Sequence, residues 1–222
     1  MSRDTHATPA AERTVGQLVA DAIRLYQRRF FRTLALGVPP AVLALVASGR
    51  PYGQWLVLTA TAGGLLLSLS YTGAVALVAE VPLDRRALLA VAVGVLVFAP
   101  VPLLLFLFVL PALAWLALVG LVVPVLMIER IPVRAALQRA VDLARADYVH
   151  ALGSLATLVI VAFLSVSVLL FLIRETGEQP IRVAAFLSTA VVSPLVLVGA
   201  ALLYFDQAAR HHEQHGSGVP RR

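Results

Sequence analysis

The chain has 222 residues, of which 60% are hydrophobic and 14% charged, with a mean hydropathy of +0.89. A soluble domain is about half apolar and about a quarter charged, so a soluble fold of this size could not hide so much apolar surface, and lipid must be the solvent for much of it. Cysteine is absent, which excludes disulfides, thiolate metal sites and cysteine nucleophiles; the 18 basic residues are all arginine, and a net charge of +6 in so apolar a chain points to a membrane face beside anionic lipid, not to nucleic acid.

Residues 1–13 are polar and are expected to form a disordered tail. Charges recur throughout residues 1–32, which leaves no room for the basic-then-apolar pattern of a signal peptide. Thr14 can cap a helix, and Val15, Leu18, Val19, Ala22, Ile23, Tyr26 and Phe30 then recur at helical spacing against Gln17, Asp21, Arg24, Gln27 and Arg28. This is the pattern of an amphipathic helix lying in a membrane interface. Uncharged windows follow at Thr33–Gly49, Pro51–Ala79, Ala87–Ile128, Ala151–Ile173 and Val183–Phe205. A span needs about 20 apolar residues. Ala87–Ile128, at 42 residues, is about twice that and predicts a tight hairpin with Pro111 at its turn. The fold class is therefore an all-α polytopic bundle in one domain, 14–207, with spans at about 33–49, 54–79, 87–108, 112–128, 151–173 and 183–205 and a polar tail at 208–222. Between the fourth and fifth spans Pro132 opens a second amphipathic helix, with Val133, Leu137, Ala140, Val141, Ala144 and Tyr148 as its apolar stripe and Arg134, Gln138, Arg139, Asp142 and Arg145 on its polar face.

Six spans divide the arginines fifteen to three, with Arg50, Arg174 and Arg182 alone on the minority side. The excess marks the cytoplasmic side and puts both termini there. The two amphipathic stretches also resemble each other at an offset of 118, where Ile23-Arg-Leu25 meets Val141-Asp-Leu143, Phe30 meets Tyr148 and Arg32 meets His150. An internal duplication and chance likeness between apolar segments both account for this.

Three stretches carry a further likeness: Thr14-Val-Gly-Gln-Leu with Ala22-Ile-Arg-Leu-Tyr26; Val123-Pro-Val-Leu-Met-Ile-Glu129 with Ala135-Ala-Leu-Gln-Arg-Ala140; and Ser193-Pro194 with Leu202-Leu-Tyr-Phe-Asp206, then Ala209-Arg210. In these the chain resembles the bacterial family of membrane domains found attached to some glycerophosphodiester phosphodiesterases and also found alone. The resemblance implies a six-helix module in the bacterial cytoplasmic membrane. The catalytic half of those enzymes, with its His-Arg-Gly opening and its cluster of metal-binding Glu, Asp and His, has no counterpart in this chain.

Candidate chemistry is sparse. His211, His212, Glu213 and His215 lack the spacing of a zincin, since Gly216 stands where the second histidine should be, and they read as a solvated tail. Glu80, Glu129 and Asp206 end the second, fourth and sixth spans and read as interface carboxylates within reach of arginines such as Arg85, Arg130 and Arg210. The hydroxyls inside the spans have no basic partner nearby, so no serine nucleophile is expected. No catalytic residue, cofactor or metal is expected. The predicted function is a non-enzymatic scaffold or accessory role, in which Arg24, Arg28, Arg134, Arg139 and Arg145 form a basic collar that contacts anionic lipid or a partner protein at the cytoplasmic face. A transporter or lipid-handling permease is the alternative.

Overall fold

The computed structural model describes the backbone of residues 14–173 and 178–216 and the side chains of 14–172 and 182–212. Every element among them is helical: α1 (Val15–Arg28), α2 (Phe30–Ala47), α3 (Tyr52–Leu58), a π-helical turn (Thr59–Gly63), α4 (Gly64–Ala79), α5 (Arg85–Phe98), α6 (Val101–Leu107), α7 (Val109–Val119), α8 (Val122–Ile128), α9 (Val133–Ala146), α10 (Tyr148–Ile173) and α11 (Glu178–Gly216). Six stretches are long and apolar enough to cross a membrane: Phe30–Ala47, Tyr52–Ala79, Arg85–Leu107, Val109–Ile128, Tyr148–Leu172 and Arg182–His212. The chain is thus an integral membrane protein of all-α class.

The expected hairpin forms, but its turn is Phe108 (φ −175°, ψ 157°) and not Pro111. Pro111 sits in the first turn of α7, where its missing N–H has no intrahelical acceptor to lose. The last span also runs further than its apolar window. Charges stop the hydrophobic run after Phe205, yet nothing after it breaks a helix, and α11 continues through the expected polar tail to Gly216. Its 39 residues measure about 58 Å, nearly twice the hydrocarbon core. The surplus projects from one end of the bundle, where α1 and α9 pack against it.

Close helix approach depends on glycine at a few points. Pro194 has no N–H to give the Ala190 carbonyl one turn earlier. That carbonyl lies against Gly37 of α2, and a Cβ on Gly37 would overlap it and the Pro194 ring. Leu36 and Leu43, two turns apart on α2, cover Gly73 and Gly63 of the second span. Between α4 and α5 the buried Ser68 lies over Gly94 and donates to the Val91 carbonyl at 2.6 Å. Interhelical hydrogen bonds of this kind add to packing where there is no hydrophobic drive between helices.

The helix α1 begins in a capping box. Thr14 Oγ1 accepts from the Gln17 amide, and the Thr14 amide donates to Gln17 Oε1 at 2.8 Å. Helices α1 and α9 are each 14 residues long, start 118 positions apart, and are followed after one residue, Arg29 or Asp147, by a span. Two corner loops share this end of the bundle. In each, a residue in the left-handed region (Glu80 or Arg130, both φ 54°) is followed by a β-branched residue and a proline. The loops are tied together by Arg130 and Asp84 at 3.5 Å.

Candidate functional site

The charged side chains collect at this end of the bundle, and the densest group lies where α9 hands over to α10. Asp147 is the hinge residue and caps α10, its Oδ1 accepting from the His150 amide at 3.1 Å. Its Oδ2 accepts from Arg210 Nη1 at 3.0 Å, and its carbonyl accepts from Gln207 Nε2 at 3.4 Å. His150 turns toward α11, where its Nε2 lies 2.7 Å from Asp206 Oδ2. The same nitrogen lies 3.4 Å from Arg210 Nη2. Arg210, one helical turn after Asp206, brings Nε within 3.5 Å of the same oxygen.

Asp206 and Gln207 are completely buried. The sequence reading placed Asp206 at the interface. The structure places it inside, because α11 does not end at the membrane surface but continues between α1, α9 and the start of α10. Two acceptors in this cluster, Asp206 Oδ1 and Gln207 Oε1, are buried and make no hydrogen bond with any described residue.

A second group lies alongside. Glu129 accepts from Tyr204 Oη at 3.0 Å and pairs with Arg139 Nε at 3.3 Å, while Arg139 Nη1 lies 3.4 Å from His211. A third joins the other half of the chain: Arg29 pairs with Glu80 and donates to the Leu77 carbonyl at 3.2 Å, which satisfies a carbonyl at the end of α4. Asp206 meets the expected Arg210, whereas the other two interface carboxylates have partners different from the nearest arginines in sequence. Glu80 meets Arg29 and not Arg85, and Glu129 meets Arg139 and not Arg130. Pairing follows helix packing, which brings residues 10 and 51 positions apart together.

Of the five collar arginines, Arg24, Arg28, Arg134 and Arg145 are exposed, whereas Arg139 is half-buried in its pair with Glu129. Arg24 bonds Asp21 on its own helix at 3.2 Å. Among the described residues Arg28, Arg134 and Arg145 form no ion pair, and neither do the exposed Arg32, Arg85 and Arg86 at the same end. Helix α9 is also rotated from its expected setting. Its buried face is Ala136, Ala140, Leu143 and Ala144, and Val133 and Leu137 point outward. Small residues at every fourth position let α9 sit close to the bundle, and that gain in contact sets its rotation. On α1 Leu18 and Ala22 are buried while Ile23 is exposed, as are Phe30 and Phe31 just beyond it. Both helices therefore present apolar side chains next to free arginines, an arrangement suited to the headgroup boundary. Tyr26, edge-on to Phe30 at 5.4 Å, has its phenol pushed above the ordinary value by burial.

Among the described residues no three His, Cys, Asp or Glu side chains come together as metal ligands. The side chains of Glu213 and His215 lie outside the described residues. His150, Asp147 and Gln207 are site residues that the sequence pattern does not single out. The available signals were the Asp-x-x-His spacing of a helix cap at 147–150 and the Asp-Gln-x-x-Arg run at 206–210, which puts three polar groups on one helical flank. No family model, curated protein or solved structure matches this chain.

Proposed function

We propose that this is a non-enzymatic accessory protein of the bacterial membrane whose arginine-bearing end faces the cytoplasm and binds anionic lipid headgroups. The observation that carries the reading is the set of exposed arginines without carboxylate partners among the described residues, side by side with exposed apolar residues on α1 and α9. The fifteen-to-three division of arginine supports the orientation, and the likeness to stand-alone membrane domains of phosphodiesterases supports the absence of an activity of its own. Near an anionic leaflet each arginine contributes about 1 kcal/mol of attraction, so removing four of them weakens binding by up to about 4 kcal/mol.

The test compares the wild type with a variant carrying Arg24→Gln, Arg28→Gln, Arg134→Gln and Arg145→Gln. Arg139 is left alone because it holds Glu129. Native mass spectrometry from mixed phosphatidylglycerol and phosphatidylcholine nanodiscs should show fewer retained phosphatidylglycerol molecules for the variant. Unchanged retention in a variant of unchanged topology would overturn the lipid reading. Loss of an acidic protein partner with lipid retention intact would point to a docking role instead.

A second reading, a lipid-handling permease, draws support from one observation: a wholly buried aspartate with its histidine and arginine partners at the end of a span. Buried ionisable groups in spans are costly and are kept where substrates or protons are handled.

A further inference from the structure

Insertion favours arginine at one end of the bundle and gives no reason for any at the other. Yet Arg50 and Arg182, the two described arginines of the minority side, stand at one place there. Arg50 follows the end of α2, and Arg182 opens the last span in α11. Arg182 Nη2 lies 3.8 Å from where a Cβ on Gly49 would be, so it reaches the residue before Arg50. Both side chains are exposed. Arg50 Nε donates to the Val46 carbonyl at 2.8 Å, which satisfies the end of α2 and holds the guanidinium in place. Among the described residues its Nη groups, and the whole of the Arg182 guanidinium, form no ion pair or hydrogen bond.

Between α2 and α3 these cations meet a groove of about 500 Å³, an ordinary size for a ligand site. Ser48, Gly49 and Arg50 line it at the loop, and Leu43, Trp55 and Pro40 line it within the membrane. From Pro40 to Ala47 it follows α2 for about 10 Å, two thirds of one leaflet of a hydrocarbon core roughly 30 Å thick. Tyr52, stacked on Trp55 at 6.0 Å, marks the headgroup level. The hydroxyls of Ser48 and Thr59 donate to carbonyls of their own helices at 2.7 and 2.8 Å. The charged donors left to a ligand are therefore the two guanidiniums, and the rest of the lining is mostly apolar.

From the adjacent cations and the groove beside them we propose that α2 and α3 hold one anionic phospholipid of the leaflet opposite the arginine-rich end, its phosphate between Arg50 and Arg182 and one acyl chain along Leu43 and Pro40. Arginine suits this headgroup because its planar fork pairs with phosphate oxygens through parallel N–H bonds. The groove favours a lipid over a free phosphate, since its apolar length has no use for a wholly polar anion. The site is at the other end of the bundle from the arginine face and holds one molecule. It depends neither on that reading nor on which end faces the cytoplasm.

The experiment reads the groove through Trp55. Trp115→Phe leaves Trp55 as the one tryptophan of the full chain. In phosphatidylcholine vesicles, phosphatidylglycerol or phosphatidylcholine brominated on its chains then quenches Trp55 according to its occupancy of the groove. Phosphatidylglycerol should be preferred about tenfold, from two arginines at the membrane surface. Arg182→Gln, which breaks no described ion pair or hydrogen bond, should remove most of the preference, and Arg50→Gln with Arg182→Gln should abolish it. Ala44→Phe, at an exposed position lining the groove, should weaken quenching by both lipids. The four-arginine variant above should keep the preference. Equal quenching by the two lipids would overturn the proposal, as would an unaltered preference in Arg50→Gln with Arg182→Gln or unaltered quenching in Ala44→Phe. Loss of the preference in the four-arginine variant would move the lipid to the other end and overturn it too. Recovery of fluorescence with glycerol phosphate as effective as with unbrominated phosphatidylglycerol would reduce the site to one for a free phosphate and likewise overturn it. If Trp115→Phe fails to fold, native mass spectrometry should count one phosphatidylglycerol fewer on Arg50→Gln with Arg182→Gln than on the wild type, and an equal count would overturn the proposal.

Discussion

Replacing Asp206 by alanine isolates the contribution of the buried cluster. The wild-type carboxylate holds His150 at 2.7 Å and Arg210 at 3.5 Å, both on Oδ2. Removing one member of a buried charge pair generally costs about 3–5 kcal/mol, because the other charge is left without compensation. Here Arg210 keeps Asp147 at 3.0 Å, so it is not stranded. The carboxylate's own burial penalty and its unpaired Oδ1 are relieved as well. The loss should therefore fall below the general range, at about 2 kcal/mol. For a chain near 200 residues that is a drop of roughly 4–8 °C in melting temperature, scaled from soluble proteins. The measurement is thermal unfolding in a fixed detergent, with Arg210→Ala and the double variant completing a cycle. A coupling of about 0.5–3 kcal/mol between the two positions is expected for groups in one network. A melting temperature within one degree of wild type, with no coupling, would refute the view that the cluster holds α10 and α11 together.

Gly37→Ala should destabilise strongly, lowering the melting temperature by more than Asp206→Ala does, because the added methyl meets the Ala190 carbonyl and the Pro194 ring; Gly153→Ala, where nothing lies within 4 Å, should be neutral or stabilising by roughly 0.5–1 kcal/mol through lost glycine entropy. Arg29→Glu should cost about 1 kcal/mol in the same assay, since the pair with Glu80 is partly exposed, and adding Glu80→Arg should recover most of it. Reporter fusions after Arg50 should read opposite to fusions after Arg86 and Arg145, and a fusion at Arg145 on the same side as Arg50 would remove the hairpin between α6 and α7.

The spans and their ends were legible because the relevant signal is local. Uncharged windows and turn residues decide where a chain can enter lipid, and all six observed spans begin or end within about three residues of an uncharged window's edge, the one far miss being the C-terminal end of the last. The exception is instructive. Phe205 ends the last apolar window, but helix propensity and packing against α1 and α9 decide where α11 stops, and Gly216 is the first residue past it that favours termination. The polar cluster was hidden for the same reason. Read along the chain, Asp206 and Arg210 look like residues leaving the membrane. Only the packing of α11 against the start of α10 reveals them as an interior group with His150. The rotation of α9 is not legible in the sequence because alanine counts little toward an apolar stripe, whereas in close helix packing it is the residue that permits contact.

The hinge residues of the two halves bring these points together. Arg29 follows α1 and Asp147 follows α9, at the same offset of 118 that relates the helices. Each pairs with a charge at the arginine-bearing end of the next span in its half: Glu80 after α4 for Arg29, and Arg210 in α11 for Asp147. The two pairs have opposite polarity. A repeat that conserved residue identity would have shown this correspondence in the sequence, but one that keeps only the pairing does not, because arginine opposite aspartate scores as a mismatch. The difference has a physical consequence. Arg29 caps the C-terminal end of the neighbouring α4, where cations are favoured, whereas Asp147 caps the N-terminal end of its own α10, where anions are favoured. Each hinge therefore satisfies a helix end as well as its partner. Among the described residues, of the two hinges only the second leads into a buried group with unpaired acceptors, Asp206 Oδ1 and Gln207 Oε1.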